Sequence, residues 1–243
     1  MQHFDLRAGS GRRLAASAQI AEIWAVLRPL LTSRRFILAA AAVLIIASGF
    51  TGLDLAYRYA ELNSIKLPPQ FSLSEDGSLS EWFEYAMTSM TALVMALHWH
   101  RTKAPAYLLA ACAFVYVTAD NYIELHETAG ALLAPFIPIP EGPGVRPEDV
   151  GELIFFAIAG SAFCAGLAWS LWRDRSWKSL PAYLVLACIP LAAVFGVAID
   201  FIHSAIRWES VLVSQAGAFV EDFGEMMSLC LAFALAFGMK HEA

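Results

Sequence analysis

Six apolar stretches, at residues 36–57, 81–100, 105–127, 151–172, 180–206 and 216–239, fill nearly the whole chain, and each is long enough to cross a bilayer as a helix. In hydrocarbon every backbone N–H and C=O must be satisfied within the chain, which restricts such stretches to helices. The expectation is an all-α fold: a polytopic membrane helix bundle of six transmembrane helices. Spans and loops use almost all of the 243 residues and leave no room for a separate soluble domain. The division expected is an N-terminal segment over 1–35 and a transmembrane domain over 36–239. The composition agrees: 58% of residues are hydrophobic and the mean hydropathy is +0.57, beyond the range of a soluble domain. A net charge of −6 with no basic stripe excludes a nucleic-acid partner. Cys112, Cys164, Cys188 and Cys230 lie inside the apolar stretches without a CxxC pair, and read as small buried residues.

The basic residues orient the bundle. With both termini cytoplasmic, twelve of the sixteen Lys and Arg residues fall inside, among them Arg34, Arg35, Arg101, Lys103, Arg173 and Lys178. Only Arg58, Lys66, Arg146 and Arg207 fall outside. This topology places the protein in a bacterial inner (plasma) membrane as a multi-pass chain. The first 35 residues hold six arginines but no continuous apolar run, so a cleavable signal peptide is not expected there. Residues 14–31 read either as an amphipathic helix on the membrane surface or as a partly ordered tail.

The same topology gathers the acidic residues at the outer face. Glu81 and Glu84 begin the second stretch; Asp120, Glu124, His126 and Glu127 end the third; Glu152 begins the fourth; Asp200 and His203 end the fifth; Glu221, Asp222 and Glu225 begin the sixth. Asp54 ends the first. Ionisable groups in membrane helices are costly and mark sites when they converge. Helical spacing puts Asp120, Glu124 and Glu127 on one face and turns His126 away unless the helix ends or unwinds there. Acidic residues near helix N-termini are favoured by the helix dipole, which accounts for Glu152 without function; Asp120, Glu124 and Asp200, near C-termini, have no such excuse. His98 and His100 belong to the inner rim.

Two imidazoles among carboxylates suit a divalent metal ion, Zn²⁺ first, with Fe, Mn or Ca²⁺ as alternatives. The expected ligands are Asp120, His126, Asp200, His203 and Glu221. Glu127 or Glu225 would act as general base toward metal-bound water, with Glu81, Glu84 and Glu124 completing the polar cluster. The functional expectation is a metal-dependent hydrolase of a lipid or other membrane-embedded substrate. The alternatives are a proton or metal-ion transporter and an accessory subunit of a larger membrane complex. The proline-rich connection 128–150 resists helix, and its apolar part, 131–139, is either a lid over the site or a plain connector.

Three segments also carry a resemblance: Glu75-Asp76-Gly77 followed by Glu81-Trp82, then Asp120 to Glu127, then Glu221 to Met226. Together they resemble a family of uncharacterised bacterial multi-spanning membrane proteins with E-D-G-x-x-x-E-W, D-E-x-x-x-x-H-E and E-E-x-x-E-M motifs. The resemblance runs from the second to the last helix and implies a fold, with no established activity. Asn121 stands where that pattern has Glu. The acid/His site is also similar in idea to that of alkaline-ceramidase-like membrane hydrolases, although the last helix lacks their paired histidines.

Overall fold

The computed structural model describes residues 7–139, 145–174, 176–205 and 210–239. Nine α-helices are described: α1 (Arg7–Leu31), α2 (Arg34–Leu62), α3 (Leu79–Thr102), α4 (Pro105–Ile123), α5 (Leu125–Leu133), α6 (Pro147–Arg173), α7 (Leu180–Ala193), α8 (Asp200–Ala205) and α9 (Val211–Gly238). A π-helical turn, Val194–Ile199, joins α7 to α8 without a break in the helical path. Among the described residues there is no strand.

Helix α9 is the axis of the bundle and packs against α2, α3 and α7, while α4 pairs with α3 and α6 with α5. Its second half is made for burial: Ala232, Ala234, Ala236 and Gly238 let neighbouring backbones come close. A side chain at Gly238 would meet Phe36 Cβ at 2.7 Å, and Ser33, which caps α2, donates a hydrogen bond to the Gly238 carbonyl. The core beside α9 is filled by Met95, Phe114, Val185, Leu186 and Leu229, all almost fully buried. This apolar core occupies the end of the bundle that carries Arg34, Arg35, Arg101, Lys103 and Arg173. The opposite end carries the acidic residues.

Among the described residues, four helical segments are long and apolar enough to cross a membrane: α2, α4, α6 and the continuous segment Leu180–His203. The six expected spans are thus reduced to four on length and composition. The other two stretches are helical and long, 24 residues for α3 and 28 for α9, but more polar. In α9 the reason is visible. The helix starts at Val211 rather than at 216, so Glu221, Asp222 and Glu225 sit at its middle instead of near its start. Likewise α6 starts at Pro147, not 151, and Glu152 lies in its second turn. The dipole effect fades within the first turn, so it explains none of these four carboxylates.

The third stretch is not one helix. Glu124 adopts a left-handed conformation (φ 51°, ψ 47°), which ends α4 and turns the chain into α5. The expected face of Asp120, Glu124 and Glu127 therefore does not exist. The connection expected to be extended is helical to Phe136, and Pro140 and Pro143 lie outside the described residues. Helix α5 is no loose lid, because it crosses α6 at two glycines. A Cβ on Gly151 would stand 2.6 Å from the Gly130 carbonyl oxygen, and one on Gly130 would stand 2.9 Å from that of Glu148. Since both obstacles are backbone, Gly151→Ala is expected to cost about 1–3 kcal/mol through overpacking. A lowered melting temperature in detergent checks this, and an unchanged one would place the crossing elsewhere.

Residues 14–31 belong to the single helix α1, whose C-terminal Leu30 is buried in the core. Cys188 and Cys230 are buried as expected, whereas Cys112 and Cys164 are exposed on the outside of the bundle. His98, near the inner end of α3, is buried and stacked on Tyr107, with ring centroids 5.3 Å apart.

Candidate functional site

The acidic end is organised by three distinct sets of contacts. The first is structural. Asp54, fully buried, accepts from Arg58 Nε at 2.6 Å and from the Leu73 N–H at 2.9 Å. Arg58 also donates to the Gln215 carbonyl (3.2 Å) and to Ser74 Oγ (3.0 Å), and Ser74 in turn donates to Asp222. Two carboxylates of the expected cluster are thereby committed to one guanidinium that ties α2, the connection after it and α9 together. The i,i+4 spacing of Asp54 and Arg58 carried this signal in the sequence.

The second set surrounds His126. The break at Glu124 swings the imidazole back, so that Nδ1 stands 3.4 Å from Asp120 Oδ2, while Asp120 Oδ1 accepts from the His126 backbone N–H at 3.1 Å. One buried carboxylate thus caps α5 and faces the ring of the same residue. The ring lies against Phe156 and borders a cavity of about 50 Å³ that is also lined by Asp149, Glu152, Gly196 and Asp200. That volume suits a single water or ion. Asp149 is already engaged: it accepts from the Arg146 backbone N–H (2.8 Å) and side chain (2.7 and 2.9 Å), closing the start of α6. This carboxylate raises the Arg146 pKa further, mainly through the side-chain hydrogen bond. Glu152, set aside on sequence grounds, stands within electrostatic reach of both His126 and Asp200.

Glu225 lies one helical turn deeper, toward the apolar core, against the π-helical turn. A Cβ on Gly196 would fall 1.9 Å from Glu225 Oε2, so only glycine leaves the carboxylate its place. The Asn121 side chain stands within interaction range of it. Asn at 121, where the resembling motif has Glu, thus supplies a donor instead of a further like charge. Glu84 faces the same region from α3, within reach of Glu225 and Asp222.

The third set is formed by His203, whose Nδ1 faces Glu221 Oε2 at 3.4 Å and whose Nε2 faces Ser214 Oγ at 3.1 Å. The sequence marked His203 and Glu221 but not Ser214, which lies seven residues before Glu221 on the same face of α9.

The five expected ligands therefore form two acid–histidine pairs, Asp120–His126 and His203–Glu221, with Asp200 lining the cavity beside His126 and within electrostatic reach of Glu221. Among the described residues no three His, Cys, Asp or Glu side chains converge closely enough to hold a metal ion. Of the expected bases, Glu225 is in the layer, while Glu127 is exposed on α5. Glu124 is exposed at the helix break, and Glu81 is occupied at the start of α3, accepting from the Gly77 N–H and the Tyr85 hydroxyl.

A family model described as a domain of unknown function, DUF8692, matches residues 36–239. The chain belongs to this family. No curated protein and no solved structure matches it. The matched segment begins with the apolar part of α2 and ends with α9, so it contains all three sets of contacts at the acidic end.

Proposed function

We propose that this is a multi-pass protein of a bacterial inner membrane that binds a divalent cation in the layer of acidic and histidine side chains at its outer face. In this reading α2, α3, α4, α6, the α7–α8 segment and α9 all cross the bilayer, with both termini cytoplasmic. Aromatic residues at both ends support the crossing of α3: Trp82 is exposed at the acidic end, and Lys103 lies over Trp99, 4.8 Å from the ring centroid, at the basic end. The three carboxylates of α9 are tolerable at its middle because they face other helices rather than lipid.

The observation that carries the cation reading is the Asp120–His126 pair at the edge of the small cavity. A carboxylate close to one ring nitrogen, here 3.4 Å from Nδ1, is the usual support of a metal-binding histidine, whose other nitrogen is then the ligand. Glu152 and Asp200 line the same cavity. Zn²⁺ fits two oxygens and one nitrogen, with Fe, Mn and Ca²⁺ as alternatives. When bound, such an ion would acidify a water molecule and so support hydrolysis of a membrane-embedded substrate; Glu225 is better placed than Glu127 to take the proton. A transporter is disfavoured, because Met95, Phe114, Leu186 and Leu229 close the bundle toward the basic end.

Elemental analysis of the detergent-purified protein tests this. The wild type should carry a stoichiometric metal ion that His126→Ala loses and His203→Ala keeps. A wild type that stays metal-free after incubation with Zn²⁺, Fe²⁺, Mn²⁺ and Ca²⁺ would sink the reading.

A further inference from the structure

Beyond the cation, and independently of it, we propose that Ser214, His203 and Glu221 form a nucleophile–base–orienter relay that cleaves carboxylic esters of amphiphiles at the outer interface. The geometry has the required order. One ring nitrogen of His203 faces a hydroxyl at 3.1 Å and the other faces a carboxylate at 3.4 Å, which is how such relays are recognised on unrelated folds.

Ser214, Gly217 and Glu221 form one stripe on α9, and the imidazole lies on the glycine between the two partners. A Cβ on Gly217 would stand 3.3 Å from the ring Cδ2, tighter than an ordinary contact. The small residue thus lets the ring lie close between the serine and the glutamate. Elsewhere in this structure hydroxyls inside helices donate to the carbonyl four residues back: Ser48, Thr91, Ser161 and Ser228 all do so. Ser214 is aimed at His203 instead.

The surroundings indicate the substrate. Ser214 lies in the second turn of α9, and Val211, Leu212, Val213 and the nearby Ile202 are exposed. A polar relay rimmed by exposed apolar side chains suits a molecule with an apolar chain and an ester linkage at the level of the membrane surface. The Ser210 side chain makes no cap to α9, so the first-turn amides and the positive end of the helix dipole lie one turn from the nucleophile. That is where an oxyanion would need stabilising.

The chemistry balances without a metal. Ser214 Oγ attacks the ester carbonyl carbon and passes its proton to His203 Nε2, while Glu221 holds the Nδ1–H. The C–O bond to the leaving alcohol breaks, and the imidazolium returns the proton to that oxygen. Water then attacks the acyl-serine, its proton travelling through His203 back to Ser214 Oγ, which releases the carboxylic acid.

Labelling of the detergent-solubilised full chain with a fluorophosphonate probe, with the modified residue located by mass spectrometry, tests the proposal. Ser214 should be labelled in the wild type and in Ser161→Ala, equally with and without EDTA. Ser214→Ala, which removes one oxygen, should abolish the signal. His203→Gln and Glu221→Gln should slow it roughly a hundredfold or more, and Gly217→Ala should slow it by displacing the ring. Hydrolysis of medium-chain p-nitrophenyl esters should follow the same order. A monodisperse wild type that is not labelled, a label that persists in Ser214→Ala, or labelling that requires a metal would each overturn the relay.

Discussion

Arg58→Ala is expected to destabilise this protein by about 3–5 kcal/mol, the penalty for leaving a buried charge without its partner. Its side chain is 14% exposed and that of Asp54 is fully buried, so the pair is not a solvated surface bridge. Three further groups depend on the same side chain: the Gln215 carbonyl, Ser74 Oγ and, at 4.0 Å, Asp222. Removing it strands Asp54 and releases the chain around Leu73 and Ser74 from α9. Arg58→Lys should fall between wild type and alanine, because a single ammonium cannot serve partners in three directions. The double variant Arg58→Ala/Asp54→Ala should recover part of the loss, since no orphaned charge remains. Thermal unfolding in detergent measures all three. A loss below about 0.5 kcal/mol for Arg58→Ala would mean that the cluster behaves as a surface bridge.

How much of this was legible in the sequence differs by level. Helices were legible throughout, because apolar runs of bilayer length have few other ways to satisfy their backbone. Helix starts were not. The sequence reading began the last helix at 216, where continuous apolarity starts, but Val211, Leu212 and Val213 already continue it outward past Ser214 and Gln215. That shift of five residues removed the dipole explanation for Glu221 and Asp222 and brought Ser214 onto the site's face. The break at Glu124 was equally invisible, since Asp-Asn-Tyr-Ile-Glu-Leu-His contains neither Gly nor Pro. A left-handed residue other than glycine is held there by its surroundings, here in part by Asp120 capping α5.

The candidate site was legible as composition and not as partnership. Gathering the acidic residues at one end needed only span order and the positions of the basic residues. Pairing them needed the third dimension. Asp54 and Asp222 turned out to share Arg58, Asp120 to face His126, and Glu221 to face His203. One expected metal site therefore became two acid–histidine pairs with Asp200 in reach of both. Four glycines set the spacing: Gly130 and Gly151 where α5 meets α6, and Gly196 and Gly224 where the π-helical turn meets α9. In the sequence each is one small residue among many alanines.

The last pair leads to the second large expected effect. At Gly224 a Cβ would fall 2.2 Å from Phe195 Cδ1 and 2.4 Å from Cγ, inside the body of a ring that cannot fold away. At Gly196, by contrast, the obstacle is the mobile end of Glu225. Gly224→Ala should therefore push the π-helical turn off α9, at about 1–3 kcal/mol of overpacking. Gly196→Ala should cost less stability but displace Glu225 from Asn121. Because Asp200 and His203 follow Phe195 on the same helical path, Gly224→Ala should impair two readouts together: metal content through Asp200 and probe labelling through His203. Gly217→Ala, which touches only the His203 ring, should impair labelling alone. Such a π-helical insertion places an extra residue into the helix and re-aims whatever follows it, so the two pairs are linked through this turn. Adding Phe195→Ala to Gly224→Ala relieves the clash, and the pair should then be less destabilised than the sum of the single variants. Additive losses, or a Gly224→Ala protein with both readouts intact, would show that the turn does not hold Asp200 and His203 in place.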